Sequence, residues 1–88
     1  MEIAILEEKS IRRNLYRVLR KTGVTKESIC LNASFIDDLN FDTIDWTIFI
    51  YYLEWVFNIN IEDDKLRKHG SVKDTLHFLR NELVYLSN

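Results

Sequence analysis

Hydrophobic residues in the first third of the chain recur every three or four positions, which is the spacing of one face of an α-helix. The residues on this face are Ile11, Leu15, Val18 and Leu19. The spacing predicts an amphipathic helix over about residues 3–21, and Gly23 is well placed to end it. Arginines at 12, 13, 17 and 20 occupy the other side, which we interpret as a solvated face.

A second helix is predicted from Asp42 to about Phe57. Aspartate is a good N-cap, and Asp45 stands three residues later, where the helix dipole favours a negative charge. A turn and a short helix over about 63–68 follow. The last helix begins at Ser71, and Asp74 gives an acidic capping box. Its apolar stripe consists of Val72, Leu76, Leu79, Leu83 and Leu86.

The connection between the first two long helices, residues 23–42, is unusually long and unusually apolar. A solvated loop would not carry so many large hydrophobic side chains, so several of them are expected to reach the core. The candidates are Val24, Ile29, Leu31, Phe35, Ile36 and Leu39.

The second helix carries two apolar stripes on opposite sides. At about 100° per residue, the natural core stripe consists of Trp46, Phe49, Ile50, Leu53 and Phe57. The other one, called here the outer stripe, consists of Ile44, Ile48, Tyr51 and Trp55. A small domain can cover only one of them with its own helices, so the outer stripe is expected to meet a partner. The alternatives are coverage by the N-terminal extension or by another copy of the chain.

Composition favours an all-α fold in one domain. The 88 residues include no proline and two glycines, so little interrupts long helices. The single cysteine, Cys30, rules out an internal disulfide, suits a reducing cytoplasm and is expected to be a buried filler. The N-terminus lacks the pattern of a secretory signal, which also favours the cytoplasm. The longest apolar run, residues 46–57, is too short to cross a membrane.

Charge is distributed unevenly along the chain. Residues 1–30 carry seven Lys or Arg against four Glu, whereas residues 31–64 carry eight Asp or Glu and no Lys or Arg. Such an acidic block favours a basic protein partner and disfavours nucleic acid, although a solvated acidic face is the alternative.

Metal binding and self-contained catalysis are not expected. Asp38, Asn40 and Asp42 match the start of a calcium loop, but its sixth position is Thr43 instead of Gly and its twelfth is Phe49 instead of Glu.

The two histidines, His69 and His77, have no cysteine or histidine cluster beside them. Asp37 and Asp38 are adjacent carboxylates without an accompanying base or nucleophile. No catalytic residue is therefore assigned, and the protein is not expected to be an enzyme.

The stretch from Asp38 to Ile44, "DLNFDTI", resembles the central motif of the acyl carrier protein family, Asp-Leu-Gly-x-Asp-Ser-Leu. The lead-in "NASF" at 32–35, Gly23 with Val24, and the pattern Phe57-x-Ile59-x-Ile61 match further family features. The resemblance covers about residues 10–86. It implies one carrier-like domain over residues 1–88, a four-helix bundle with three long helices and one short, and residues 1–9 as an N-terminal extension of the first helix.

The resemblance also implies a function. In this family the motif serine carries 4′-phosphopantetheine, whose thiol holds acyl groups during fatty-acid or polyketide-type biosynthesis, and the second helix docks on partner enzymes. Thr43 stands at the serine position here. Because its extra methyl crowds the hydroxyl and restricts χ1, transfer of the group to Thr43 is expected to be very slow or absent.

The sequence differs from the family pattern at two further places, the turn before the second helix and the face of that helix that docks on partners. Asn40 replaces the motif glycine, and asparagine tolerates the left-handed backbone that glycine would supply. Ile48 and Trp55 lie where the family usually has glutamate. The residues expected to bind a partner are Asp42, Ile44, Asp45, Ile48, Tyr51, Glu54 and Trp55. The alternative function is a degenerate carrier fold that serves only as a protein-interaction module, and a homodimer is possible.

Overall fold

The four helices expected from the hydrophobic pattern are present in the computed structural model, which describes residues 8–67 and 70–87. They are α1 (Glu8–Thr22), α2 (Thr43–Phe57), α3 (Asp63–Arg67) and α4 (Val72–Ser87). The all-α prediction is confirmed. A short 3-10 helix, Lys26–Ser28, was not predicted. The expected extension over residues 1–9 lies mostly outside the described residues.

Helix α1 ends at the glycine that the sequence indicated. Gly23 has φ +114°, a left-handed conformation that glycine adopts without a steric penalty. The Gly23 N–H donates to the carbonyl of Arg20, and the Val24 N–H donates to the carbonyl of Leu19, each at 3.0 Å. These two bonds form a Schellman motif, which satisfies the last carbonyls of the helix and turns the chain into the connection.

The core forms where the apolar stripes of α1, α2 and α4 meet the connection. The predicted core residues of α1 and α4 are buried from Ile11 to Leu83, and the side chain of the last predicted one, Leu86, is outside the described part of the structure. The α2 core stripe is buried except for Phe57, which packs partly buried against the core. Four aromatic rings pack at the start of α2 with centroids 4.8 to 6.0 Å apart. They belong to Phe35, Phe41, Trp46 and Phe49.

The connection is ordered by hydrogen bonds to the start of α4. The Phe35 N–H donates to the carbonyl of Gly70, and the Val72 N–H donates to the carbonyl of Ala33, each at 3.0 Å. Of the expected core candidates, Phe35 is buried and the others pack against the core while partly buried, except Ile36, which is 60% exposed.

The expectation that Cys30 is a buried filler was wrong, because its side chain is exposed. Its neighbours Ile29 and Leu31 both pack partly buried against the core. Cys30 therefore faces solvent between two residues that turn towards the core. Within the described residues, no helix is long and apolar enough to cross a membrane.

Replacing Thr75 by valine should stabilise the fold by about 1 kcal/mol. Thr75 is fully buried in α4, and its hydroxyl has no hydrogen-bond partner within the described part of the chain. An unpaired buried hydroxyl costs about 1–3 kcal/mol, and valine keeps the shape while removing the polar atom. Urea unfolding of Thr75→Val measures the effect. Thr75→Ser is the control, since it keeps the hydroxyl and loses the methyl. A Thr75→Val variant less stable than wild type would show that the hydroxyl is satisfied.

Candidate functional site

Asp42 and Asp45 form a reciprocal capping box at the start of α2. Asp42 Oδ1 accepts a hydrogen bond from the Asp45 N–H at 2.8 Å, and Asp45 Oδ2 accepts one from the Asp42 N–H at 3.1 Å. The box confirms Asp42 as the N-cap. It also satisfies donors that a helix start would otherwise leave open, so the position of Thr43, the first helical residue, is closely fixed.

Residues 34–41, which precede the N-cap, are held in a compact turn by hydrogen bonds among themselves. The Ser34 N–H donates to Asp38 Oδ2 at 2.7 Å, and the Ser34 hydroxyl accepts from the Asp37 N–H at 3.1 Å. The Phe41 N–H donates a hydrogen bond to the carbonyl of Phe35 at 2.8 Å. These hydrogen bonds fix the conformation of the segment that leads into α2.

Asn40 provides the left-handed residue that this turn requires. Its φ is +55°, a region that glycine adopts freely and asparagine tolerates better than most residues. The sequence-based expectation that the turn survives the loss of the motif glycine is therefore confirmed.

Asn40→Gly should leave stability nearly unchanged, whereas Asn40→Ala should cost about 1 kcal/mol, because a Cβ without a compensating polar group is strained at positive φ. Thermal unfolding of the two variants side by side measures the difference. Equal stability of both variants would contradict the backbone argument.

Sequence reasoning missed the contribution of Phe41, which it treated only as a variable position of the motif. Phe41 precedes the N-cap, and its ring packs against Trp46, the fourth helical residue, with centroids 5.2 Å apart. A hydrophobic pair at these two positions is a hydrophobic staple, which fixes the angle at which the chain enters the helix. The spacing of the two aromatic residues around the cap was the signal that could have revealed it.

Thr43 is presented to solvent at the N-terminus of α2. Its side chain is exposed, and its carbonyl accepts a hydrogen bond from the Thr47 hydroxyl at 3.0 Å, inside the helix. A hydroxyl at this position lies at the positive end of the helix dipole, where a phosphate group is stabilised.

An open cleft of about 290 Å³ lies beside the start of α2. One wall is the end of α1 with the turn after it, from Thr22 to Thr25, and the other is the motif segment from Asp38 to Phe41 together with Asp45. The end of α1 therefore lies next to the beginning of α2.

The outer stripe is exposed, as its position on the helix predicted. The exposed fractions are 67% for Ile44, 38% for Ile48, 63% for Tyr51 and 71% for Trp55. Single exposed hydrophobic residues are common on protein surfaces, but four large ones on the same face of one helix form a continuous apolar patch. Such patches are typical of interaction surfaces.

The acidic residues expected at this face already have structural roles. Asp42 and Asp45 bond each other's backbone, as described above. Glu54 Oε2 accepts a hydrogen bond from the Ile61 N–H at 2.8 Å, which ties the end of α2 to the segment that leads into α3. Each carboxylate keeps oxygen lone pairs for a further donor, so a structural role does not exclude contact with a partner.

The two aspartates of the calcium-loop pattern take part in the hydrogen bonds of the turn. Asp38 and Asp42 both accept backbone hydrogen bonds within the turn. In residues 8–67 and 70–87, no three His, Cys, Asp or Glu side chains come together in a group that could hold a metal ion. His77 is exposed on α4, and His69 lies outside the described residues.

Comparison with known proteins identifies the family. No protein-family profile matches the chain. An acyl carrier protein of Nitratidesulfovibrio vulgaris is 34% identical over 65 residues, covering 74% of this chain and 86% of that protein. One of Zymomonas mobilis is 36% identical over 62 residues, covering 70% and 80%. One of Buchnera aphidicola is 33% identical over 75 residues, covering 84% and 94%. With its helix order and its capped motif at Thr43, the chain belongs to the acyl carrier protein family.

Proposed function

We propose that this protein is a non-enzymatic acyl carrier of fatty-acid or polyketide-type biosynthesis, with Thr43 as a slowly loaded attachment point for 4′-phosphopantetheine. The observation that carries the proposal is the exposed Thr43 at the first position of α2, held by the capping box. The similarity to acyl carrier proteins over most of the chain supports it.

The residues around Thr43 fit the group. The side chain is exposed, so a transferase can reach the hydroxyl, and the N-terminus of α2 stabilises a phosphate there. When bound, the group would supply a thiol that holds an acyl chain as a thioester. The protein's own contribution is to hold the hydroxyl in place and to present α2 to other enzymes. The single cysteine fits the cytoplasmic location that this role requires.

The secondary hydroxyl of Thr43 is the reason that we expect loading to be slow. Its branched Cβ limits χ1 and adds a methyl beside the attacking oxygen. A displacement of about 1 Å in a transferase site can cost on the order of 10²-fold in rate. The fold thus exposes residue 43 to a transferase, and the threonine side chain limits the rate at which phosphopantetheine is attached.

Intact-protein mass spectrometry tests the proposal. The purified chain is incubated with coenzyme A, magnesium and a phosphopantetheinyl transferase of broad specificity, and Thr43→Ala is treated in the same way. The expected result is one added phosphopantetheine on the wild type after long incubation and none on Thr43→Ala. A wild type that gains no mass at any incubation time would overturn the carrier role.

A second function is favoured by the exposed outer stripe, which is apolar where the family usually has acidic residues. In that case the protein is a carrier fold that binds a dedicated protein partner through α2 and carries no cargo. The candidate contacts are Asp42, Ile44, Asp45, Ile48, Tyr51, Glu54 and Trp55.

The two functions differ in which residue matters for complex formation. If the protein acts only as an interaction module, affinity capture from its own cells should recover the same partner with Thr43→Ala as with wild type. Trp55→Ala should lose that partner. A partner that is recovered equally with Trp55→Ala would exclude the outer stripe as its binding surface.

A further inference from the structure

We propose that the outer stripe of α2 binds a second copy of this chain, in an antiparallel pair of α2 helices related by a twofold axis. Ile44, Ile48, Tyr51 and Trp55 are all exposed on the isolated chain. The inference does not depend on phosphopantetheine, and it goes beyond the carrier role, because a dimer forms whether or not Thr43 is loaded.

The spacing of the outer stripe fits a symmetric antiparallel pair. Ile44 and Trp55 are centred between residues 49 and 50, and Ile48 and Tyr51 have the same centre. A twofold axis at that point places Ile44 against Trp55 of the second copy and Ile48 against Tyr51 of the second copy. Each contact then joins an aliphatic and an aromatic side chain, and each occurs twice, as symmetry requires.

The charges beside the outer stripe are complementary in this arrangement. Asp45 and Tyr52 are seven residues apart, close to two helical turns, so they lie on the same flank of α2. On that flank the Lys21 Nζ lies 6.0 Å from the centre of the Tyr52 ring. An antiparallel pair therefore brings Lys21 towards Asp45 of the second copy, and the symmetric contact repeats this attraction.

A parallel pair is disfavoured by the same charges. It would bring the acidic helix starts of both copies, each with Asp42 and Asp45, to one end of the interface. It would also align the two helix dipoles, whereas the antiparallel pair opposes them. The apolar side chains alone would allow a parallel or an antiparallel pair, and the charges favour the antiparallel pair.

The outer stripe is small for a stable protein–protein interface. With about 150–250 Å² for each aromatic side chain, the outer stripe exposes on the order of 500 Å² per copy. A standard stable interface buries about 800 Å² per partner. Even with Lys21, Asp45 and Tyr52 added, the contact is small enough to be typical of transient interactions, so the dimer is expected to be reversible.

Sedimentation velocity over a wide concentration range tests the dimer. The wild type should change from monomer to dimer as concentration rises, and Trp55→Glu should remain monomeric throughout. Ile36→Glu is the matched control, because Ile36, like Trp55, is a large and mostly exposed apolar residue but lies on the connection and not on α2. A wild type that stays monomeric at hundreds of micromolar, or a dimer that Trp55→Glu leaves intact, would overturn the proposal.

A second pair of variants tests whether the contact between Lys21 and Asp45 contributes to dimerisation. Lys21→Glu should weaken dimerisation at least tenfold at low salt, and the difference should shrink at high salt. Lys73→Glu makes the same charge change at the exposed start of α4 and should match the wild type. Equal weakening by both variants would show a net-charge effect and overturn the contact between Lys21 and Asp45.

Cysteine cross-linking determines the direction of the pair. In a Cys30→Ser background, Ile44→Cys and Trp55→Cys are prepared separately, mixed and oxidised with diamide. An antiparallel pair predicts a disulfide in the mixture and little in either variant alone, since positions 44 of the two copies would lie about 16 Å apart along the helix. Efficient cross-linking of each variant with itself would show a parallel pair and overturn the proposed arrangement.

Discussion

Thr43→Ser should accept phosphopantetheine on the order of 10²-fold faster than the wild type under the same conditions. Serine removes the methyl beside the attacking oxygen and gives a primary hydroxyl that rotates more freely about χ1. The rest of the site is already in place, because the capping box and the left-handed turn at Asn40 do not involve the Thr43 side chain. Initial loading rates from intact-protein mass spectrometry measure the ratio.

Thr47→Ser is the matched control for this prediction. It makes the same change one helical turn later, where the hydroxyl bonds the carbonyl of Thr43 inside the helix. Its loading rate should equal that of the wild type. If Thr43→Ser is loaded no faster than the wild type, threonine is not the cause of slow loading, and recognition by the transferase must be limited at another part of the surface.

Phe35→Ala should lower the free energy of unfolding by about 3–5 kcal/mol, a large part of the stability expected for a domain of this size. Phe35 is fully buried, and its ring contacts those of Phe41, Trp46 and Phe49. The cavity left by alanine would be lined by rings that come from the connection and from α2. Both elements that support Thr43 would therefore lose packing together.

The neighbouring residue gives the control for this prediction. Ile36 is 60% exposed, so Ile36→Ala should change the free energy of unfolding by less than about 0.5 kcal/mol. Urea unfolding followed by circular dichroism measures both variants. A Phe35→Ala variant within 1 kcal/mol of wild type would show that the aromatic cluster is not the centre of the core.

The helices could be predicted from the sequence because residues that begin or end a helix agreed with the apolar spacing. For α2, the cap at Asp42 and the apolar spacing up to Phe57 both indicate the same segment. The exposure of the outer stripe was predictable for a related reason. One helix with two apolar faces cannot bury both faces in a bundle of this size.

The connection was harder to predict, because its side chains do not follow a helical or strand period. Its apolar residues indicated burial in general, but Ile36 and Cys30 point outward while Phe35 is buried. The orientation of each depends on backbone bonds to the start of α4, which lies about 35 residues further along the chain. Such a long-range pairing leaves no local pattern in the sequence.

The role of the acidic residues was also only partly predictable. The sequence indicated that Asp42 and Asp45 favour a helix start, and their reciprocal bonds agree. Glu54 was expected only at a partner surface, but its bond to the Ile61 N–H needs the chain to fold back after α2. Whether any of the three also binds a partner stays a prediction.

The most direct test of the carrier role is to find the atom that bears phosphopantetheine. The protein is isolated from the cells that make it, digested, and analysed by fragment mass spectrometry of the peptide that contains both Ser34 and Thr43. The account predicts a small modified fraction in which phosphopantetheine is on Thr43. Modification on Ser34, or a complete absence of the group in the protein from its own cells, would contradict it.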